Sequence, residues 1–272
     1  MTLTTLSLAS GSNGNCYYIS NGEEAILIDA GISCRETERR MSALSLSLQK
    51  IKAIFISHEH IDHIKGVEVL SRKYNIPVYI TPRTLSGGRL TLDTALVHDF
   101  AAYEPVRIGE LEVLAFPKNH DAADPHSFII QAQQTKVGVF TDIGEPCDHV
   151  IRQFQECQVA FLETNYDEEM LERGRYPYHL KKRIAGPYGH LSNAQALKLF
   201  TEHRSEALQC LFLSHLSKDN NCPELAARLF AQHAGSTKIV VASRYQASEL
   251  FQVSPSTTYF EYPAPMVQAA LF

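Results

Sequence analysis

The sequence predicts an α/β protein in which strands form the interior of a layered sandwich and helices lie outside. Short apolar stretches alternate with stretches of helical period along the chain, and several apolar stretches end at one polar residue. A chain of 272 residues, 44% of them apolar, is long enough to bury a substantial core. No linker, repeat or low-complexity stretch interrupts it, so we expect a single domain over 1–272.

The strands are predicted from short apolar or alternating runs bounded by turn residues. Residues 4–9 alternate, and the glycines and asparagines of 11–15 suit a turn with positive φ. In chain order, strands are predicted at 4–9, 16–20, 25–29, 53–56, 78–80, 111–116, 127–133, 136–141, 160–163, 209–214 and 238–242.

The helices are predicted from apolar residues recurring at three- and four-residue intervals. Ser33 is a suitable N-cap for the first of them. In chain order, helices are predicted at 35–46, 61–74, 147–155, 193–202 and 223–233.

Composition narrows the class of protein. The net charge of −5 does not indicate a nucleic-acid binder, although an average can hide a local basic patch. The six cysteines form no C-x-x-C pair and are typical of free thiols in a reducing compartment. We find neither a signal peptide nor eighteen consecutive apolar residues, so we expect a cytoplasmic protein with no membrane partner.

Three histidines and an aspartate follow the apolar run 53–56 within the segment Ser57–His63. Side chains alternate along a strand, so we expect His58 and His60 to point the same way, with Asp62 and His63 at the start of the next helix. Histidines also cluster by chance, but burying these groups without a partner would be costly. The cluster therefore predicts metal ligands, and imidazole with carboxylate suits Zn, Mn or Fe.

Further donors close other apolar runs. His120, Asp142 and His215 each follow a predicted strand, and together they indicate one site along the edge of a sheet. Taken singly, each is more typical of a cap or a loop. Asp29 also ends a strand, where an acceptor that orients a ligand histidine and a turn residue before Gly31 are equally good interpretations.

This series resembles the five motifs of the metallo-β-lactamase superfamily, in order and over nearly the whole chain: Asp29, then His58-x-His60-x-Asp62-His63, His120, Asp142 and His215. The resemblance implies a four-layer αββα sandwich with two divalent metal ions between the sheets. One ion would bind His58, His60 and His120, the other would bind Asp62, His63 and His215, and Asp142 would bridge them. It also implies hydrolysis by a hydroxide that bridges the metals, because coordination lowers the pKa of water from ~15.7 to about 7.

Other segments are similar to the YycJ/WalJ-like group of that superfamily. The segment after His120 departs from the glycine-rich pattern of the glyoxalase and many β-lactamase relatives. The similarity lies in Ser10-Gly11-Ser12-x-Gly14-Asn15, Glu163-x-Asn165-x-Asp167, Pro177-Tyr178, Gly189-His190-Leu191-Ser192-Asn193 and His215-Leu216-Ser217-x-x-Asn220-Asn221. It implies a 5′-to-3′ exonuclease on double-stranded DNA.

The predicted catalytic residues are Asp62, Glu163 and His190. A carboxylate beside an imidazole favours its charged form, so His190 oriented by Glu163 is the predicted proton donor to the leaving oxygen. Alternatively, His190 is only a polar residue before a helix that Ser192 caps.

Substrate contacts are predicted at two places. The segment 173–183 interleaves basic and aromatic residues, which suits phosphates and bases, although a solvated loop is an equally good interpretation. The Ser10–Asn15 loop offers backbone amides to phosphate, or is only a hairpin turn. The predicted contacts are Ser12, Asn15, Arg175, Lys181, Lys182, Ser192 and Asn220.

Three functional hypotheses follow. The first is a metal-dependent phosphodiesterase on DNA, and the second is a hydrolase of a small ester or cyclic phosphodiester on the same scaffold. The third is a non-enzymatic signalling partner that kept the fold. It predicts lost ligands, and none of the ligand positions is lost in this sequence.

Overall fold

The first half of the chain builds a mixed seven-stranded sheet. The computed structural model describes residues 2–253, so residues 1 and 254–272 of the predicted domain lie outside the described part. The strand order is β14-β1-β2-β3-β4-β5-β6. Its elements are β1 (Thr4–Ala9), β2 (Cys16–Ser20), β3 (Ala25–Ile28), α1 (Cys34–Ala43), β4 (Ile51–Phe55), α2 (Ile61–Ile64), α3 (Val67–Tyr74), β5 (Val78–Tyr79), α4 (Pro82–Gly87), β6 (Val97–His98) and, from the far end of the chain, β14 (Phe251–Gln252).

The second half builds another seven-stranded sheet, in the order β13-β12-β11-β10-β9-β8-β7. Strands β10 to β13 run parallel, so their carboxyl ends lie at one edge. Its elements are β7 (Val106–Ile108), β8 (Leu111–Pro117), β9 (His126–Ala132), β10 (Thr135–Phe140), α5 (Asp148–Phe154), β11 (Val159–Glu163), α6 (Glu168–Arg173), α7 (Tyr178–Ile184), α8 (Asn193–His203), β12 (Cys210–Ser214), α9 (Pro223–Ala231) and β13 (Lys238–Val241).

Three apolar clusters separate four layers. Tyr17 and Phe55 of the first sheet pack with Phe161 of the second in the central cluster. A second cluster joins the first sheet to α1 and α3, and a third joins the second sheet to α5, α8 and α9. This arrangement confirms the predicted αββα sandwich.

The predicted helix over 61–74 is wrong, because the chain forms two helices that break at Gly66. The Gly66 amide donates to the Ala30 carbonyl at 2.7 Å. A Cβ at Gly66 would lie 2.0 Å from the carbonyl oxygen of Ile32. The break therefore comes from contact with a distant segment, which a local apolar period does not encode.

The expected basis for aligning His58 and His60 is also wrong. Strand β4 ends at Phe55, so both histidines lie on the loop between β4 and α2 and not on a strand. The loop nevertheless brings them together, with His58 Nε2 3.1 Å from His60 Nδ1.

Candidate metal centre

Three strand-end residues take a left-handed backbone that turns the chain at the edge of the sheets. Asp29 follows β3, Asp142 follows β10 and His215 follows β12, with φ values of 61°, 54° and 56°. This conformation costs non-glycine residues of order 1–3 kcal/mol and is found at functional sites. All three side chains are buried, and they lie within one connected group of donors.

Three imidazoles form the first donor group. His60 Nδ1 lies 3.1 Å from His58 Nε2 and 3.3 Å from His120 Nε2. A tetrahedral zinc with Zn–N of about 2.0–2.1 Å requires ligand atoms about 3.3 Å apart. The spacing of the three nitrogens therefore fits a divalent ion.

The second donor group combines carboxylates with imidazoles. Asp62 Oδ2 lies 3.4 Å from His215 Nε2 and 3.6 Å from His63 Nε2. Asp142 Oδ2 lies 3.1 Å from His63 Nε2, whereas Asp142 Oδ1 lies 3.8 Å from His120 Nε2 in the first group. Asp142 thus lies between the two groups.

The surroundings of Asp142 Oδ2 give the best test of whether these residues fit a metal ion. This buried, charged oxygen has no hydrogen bond of good geometry among the described residues, and its nearest partner is His63 Nε2 at 3.1 Å. A desolvated carboxylate oxygen is costly unless it is paired or coordinates a metal. Its partner in the metal-free chain is thus itself a candidate ligand, and this pairing and the donor spacing fit a metal site.

Four of the five imidazoles are fixed through Nδ1, which directs Nε2 to the centre. The Nδ1 atoms lie 2.9 Å from Ser57 Oγ for His58, 2.7 Å from Asp29 Oδ2 for His63, 3.0 Å from the Gly189 carbonyl for His120 and 2.8 Å from Glu163 Oε1 for His215. Outer partners of this kind set the tautomer and orientation of metal-binding histidines. His60 is the exception and presents Nδ1.

Asp29 and Ser57 form one buried support. The Ser57 amide donates to Asp29 Oδ1 at 2.8 Å, and its hydroxyl donates to Asp29 Oδ2 at 2.9 Å. Asp29 therefore lies where an orienting acceptor is required, and it also ends its strand as a turn residue does. Ser57 was not predicted as a site residue; its only sequence signal is its place directly before His58.

In the metal-free chain, some imidazoles of the centre have a raised pKa and others a lowered one. Burial opposes the charged form of His63 and His215, but Asp142 and the other neighbouring carboxylates outweigh it. They raise the pKa of His215 to about 10 and that of His63 well above its usual value. At His58 and His120 burial dominates, lowering the pKa of His120 to about 4 and that of His58 well below its usual value.

Glu163 and His190 form a pair beside the second donor group. Glu163 Oε1 accepts from His190 Nδ1 and from His215 Nδ1, both at 2.8 Å. Burial disfavours the Glu163 carboxylate, but His190 and these hydrogen bonds outweigh it and lower its pKa to about 2. His190 Nδ1 is 3.8 Å from Asp142 Oδ1, and its side chain is 22% exposed, so the pair lies at the mouth of the donor groups.

A cavity of about 200 Å³ lies on the exposed side of His190. We call it the His190 cavity. Three polar side chains, three apolar or aromatic ones and an ion pair contribute to its wall. The lining residues are Ser12, Asp121, Asn165, Tyr176, Leu180, Arg183, Ile184, Gly189, His190 and Ser217.

Three predicted substrate contacts are buried and hydrogen-bonded inside the protein, so their contact with substrate stays a prediction. Asn15 Nδ2 lies 3.2 Å from Asp62 Oδ2 and 3.1 Å from His63 Nε2. Ser192 caps α8 in a capping box and donates to Glu168 at 3.0 Å. Asn220 is 1% exposed. Sequence patterns identify such polar residues but not whether tertiary packing closes over them.

The segment 173–183 faces the site only in part. The amine of Lys181 donates to the Glu172 carbonyl, and that of Lys182 lies 5.0 Å from the Tyr178 ring centroid. These lysines and exposed Arg175 are not among the described residues that line the His190 cavity. Of the seven predicted contacts, Ser12 alone belongs to that lining.

Several residues with evident roles were not predicted. Arg183 lines the cavity and donates through Nε to Asp121, the neighbour of His120. Asn165 donates to the His215 carbonyl at 2.8 Å. Lys118 is buried, its pKa is lowered by that burial, and Nζ donates to the Thr141 carbonyl at 2.7 Å, directly before Asp142. Arg183 lay inside the predicted basic segment, but Lys118 has no signal beyond its place between strand β8 and His120.

A family model described as the beta-lactamase superfamily domain matches residues 24–215. That span holds Asp29 and every residue of the two donor groups. The chain belongs to this superfamily. None of the described helices has the length and apolar character required to cross a bilayer.

Curated relatives and a solved structure agree with that membership. The chain is 35% identical to Exodeoxyribonuclease YycJ of Bacillus anthracis over 230 residues, covering 83% of this chain and 86% of the relative. It is 29% identical to Exodeoxyribonuclease WalJ of Streptococcus pneumoniae over 255 residues, covering 92% and 94%. The metallo-beta-lactamase fold protein YhfI of Bacillus subtilis superposes with a TM-score of 0.72 at 15% identity, over 93% of this chain and 100% of that one. This superfamily member is thus a metal-dependent hydrolase in the family of YycJ.

Proposed function

We propose that the chain is a 5′-to-3′ exonuclease on double-stranded DNA that uses two divalent metal ions. The observation that carries the proposal is the buried Asp142 carboxylate between the two donor groups, with Oδ2 3.1 Å from His63 Nε2 and Oδ1 3.8 Å from His120 Nε2. The relatives named exodeoxyribonucleases support DNA as the substrate. Zn or Mn fits the imidazole and carboxylate donors, and Fe is also compatible.

His58, His60 and His120 would hold one ion, and Asp62, His63 and His215 the other, with Asp142 shared. Divalent ions at these positions supply Lewis acidity, which lowers the pKa of water from 15.7 to about 7 and neutralises phosphate oxygens. Asp62 would thus take part in catalysis by binding one of these ions.

The leaving oxygen needs a proton, and His190 would supply it. Nδ1 donates to Glu163 at 2.8 Å, so Nε2 is the nitrogen from which a proton can pass to substrate. Glu163 keeps the ring in that orientation because its carboxylate is itself fixed by the Ile143 and Leu191 amides at 2.7 and 3.2 Å.

A small ester or cyclic phosphodiester remains the second candidate substrate, and the size of the His190 cavity favours it. Ligand pockets for drug-sized molecules are about 300–1,000 Å³. A cavity of about 200 Å³ is smaller and accepts one small group directly beside the donors.

The two substrates are separated by incubating the protein and Mn²⁺ with a 5′-labelled duplex and with bis(p-nitrophenyl) phosphate. We expect loss of the 5′ label from the duplex, and loss of both activities in Asp142→Ala but not in the control Glu202→Ala, an exposed position on α8. Turnover of the small diester alone, with no duplex binding at low salt, would overturn the DNA proposal. Unchanged turnover by Asp142→Ala would overturn the metal centre.

A further inference from the structure

We propose that the His190 cavity binds the one terminal nucleoside that departs in each cleavage, so that the product is released a single nucleotide at a time. The inference rests on the proposed function, because it assigns a subsite to that reaction. It concerns a cavity wall that α7 and the loop before it provide, outside the metal ligands.

The cavity adjoins the donor groups directly. His190 lines it and lies 3.8 Å from Asp142 Oδ1. Asn165 lines it and lies 3.3 Å from His215 Nδ1, and the carbonyl of lining residue Gly189 lies 3.0 Å from His120 Nδ1. A phosphodiester that reaches Asp142 past His190 therefore places one of its two substituents in the cavity.

The walls suit a nucleoside. Tyr176, Leu180 and Ile184 supply an aromatic ring and two aliphatic side chains, and a hydrogen bond of 2.9 Å from Tyr176 Oη to Asp219 restrains the ring. A base that stacks on such a ring gains about 1–3 kcal/mol without regard to sequence. The hydroxyls of Ser12 and Ser217 lie in the wall and can contact the sugar.

The place of His190 decides which unit occupies the cavity. Water joins phosphorus, the bond between phosphorus and O3′ breaks, and O3′ takes a proton from His190, which the second proton of water restores. The unit on the His190 side is thus the terminal nucleotide that leaves with a new 3′-hydroxyl. A volume of about 200 Å³ accepts one base of such a unit and excludes a duplex.

The test compares binding of dAMP and of deoxyribose 5-phosphate in Mn²⁺, since the two share the phosphate and differ in the base. We expect dAMP to bind at least tenfold more tightly to the wild-type protein. Ile184→Trp, which fills the cavity, and Tyr176→Ala, which removes the ring, should each abolish most of this preference. The matched control is Tyr178→Ala, a tyrosine 70% exposed and outside the lining, and it should retain the preference.

The melting temperature of each variant shows whether it has folded, and product length gives a second measurement. Equal affinity for the two probes, or a preference that survives both cavity variants, would overturn the subsite. Products of two or more nucleotides from the duplex would do so as well. A protein that binds dAMP in the cavity but leaves the duplex intact would instead retain the subsite and overturn the proposed exonuclease.

Discussion

Individual side chains at the centre act mainly by fixing one another. Burying imidazoles and carboxylates is costly, and the cost is offset when each has a partner. Ser57 shows this most clearly, because one hydroxyl joins the Asp29 carboxylate to the His58 imidazole. Since that hydroxyl donates to Asp29, His58 Nδ1 must donate to it, which leaves Nε2 unprotonated for a metal.

Replacing Ser57 by Ala should therefore weaken metal binding. We expect about a 10–100-fold loss of affinity, as is usual when an outer partner of a metal ligand is removed. Competition with a zinc-binding dye measures it. Ser86→Ala, at an exposed serine in α4, is the control, and equal affinity in the two variants would contradict the role assigned to Ser57.

The raised pKa values of His63 and His215 predict proton release on metal binding. In the metal-free chain at pH 7 both imidazoles carry a proton, because the pKa of His215 is about 10 and that of His63 is well above its usual value. A histidine must be neutral to bind a metal, so binding should release about two protons at this pH. Calorimetry in buffers of different ionisation enthalpy measures the number.

The same shifts set a pH window for the metal-free protein. A raised folded pKa adds stability below the unfolded value of about 6.5, and this stability is lost as pH rises through about 10 at His215. The unfolding free energy should thus fall between pH 7 and 10. Binding without proton release, or a flat pH dependence over this window, would show that the carboxylates do not hold these imidazoles protonated.

At the scale of elements, helix and loop boundaries place the donors. The turn at Gly66 lets α2 end early, so that the Gly66 amide donates to the Ala30 carbonyl and the His63 carbonyl accepts from the Ala30 amide. Helix α7, with no buried residue, contributes Leu180, Arg183 and Ile184 to the His190 cavity. The position of an element therefore matters here more than its intrinsic stability.

Gly66→Ala tests the helix break. Alanine favours a helix by about 1 kcal/mol over glycine. The new Cβ would lie 2.0 Å from the Ile32 carbonyl oxygen, however, and backbone cannot yield as a flexible side chain does. We expect the steric overlap to outweigh the gain in helix propensity and to lower the unfolding free energy by about 1–3 kcal/mol. Lys65→Ala, at the exposed neighbour, should change it little in urea denaturation; a gain in stability at Gly66→Ala would refute the contact.

At the scale of the whole molecule, the metal centre joins the two sheets. His58 and His60 follow a strand of the first sheet, whereas His120, Asp142 and His215 follow strands of the second. A metal ion held by ligands from both sides binds the folded chain and not the unfolded one. Metal binding should thus be coupled to the stability of the sandwich as a whole.

Removal of metal should lower the melting temperature. At a free metal concentration one hundred times Kd, binding adds about 2.7 kcal/mol. For a protein of this size each kcal/mol corresponds to about 2–4 °C, so we expect a difference of about 5–10 °C between the metal-loaded and chelator-treated protein. Differential scanning calorimetry measures it. Asp142→Ala should show a much smaller difference, and an equal one would place the stabilising ion elsewhere.

The residue types of the metal centre and most of the strands were predictable from local sequence patterns. Apolar alternation has a period of two residues, so it marks strands such as Thr4–Ala9 and Cys16–Ser20 at their observed bounds. A single histidine or aspartate at a strand end is more typical of a cap or a loop, but several in succession indicate one site, which is why Asp142 and His215 could be identified without coordinates.

Packing between distant segments sets which polar residues meet, which are buried and where the chain bends. Asn15 and Ser192 are buried by segments far along the chain, Gly66 breaks a helix against the backbone of Ile32, and Arg183 reaches Asp121 across 62 positions. Propensity and period are local properties, whereas these contacts depend on the free energy of packing distant segments together. No window of the sequence contains that information.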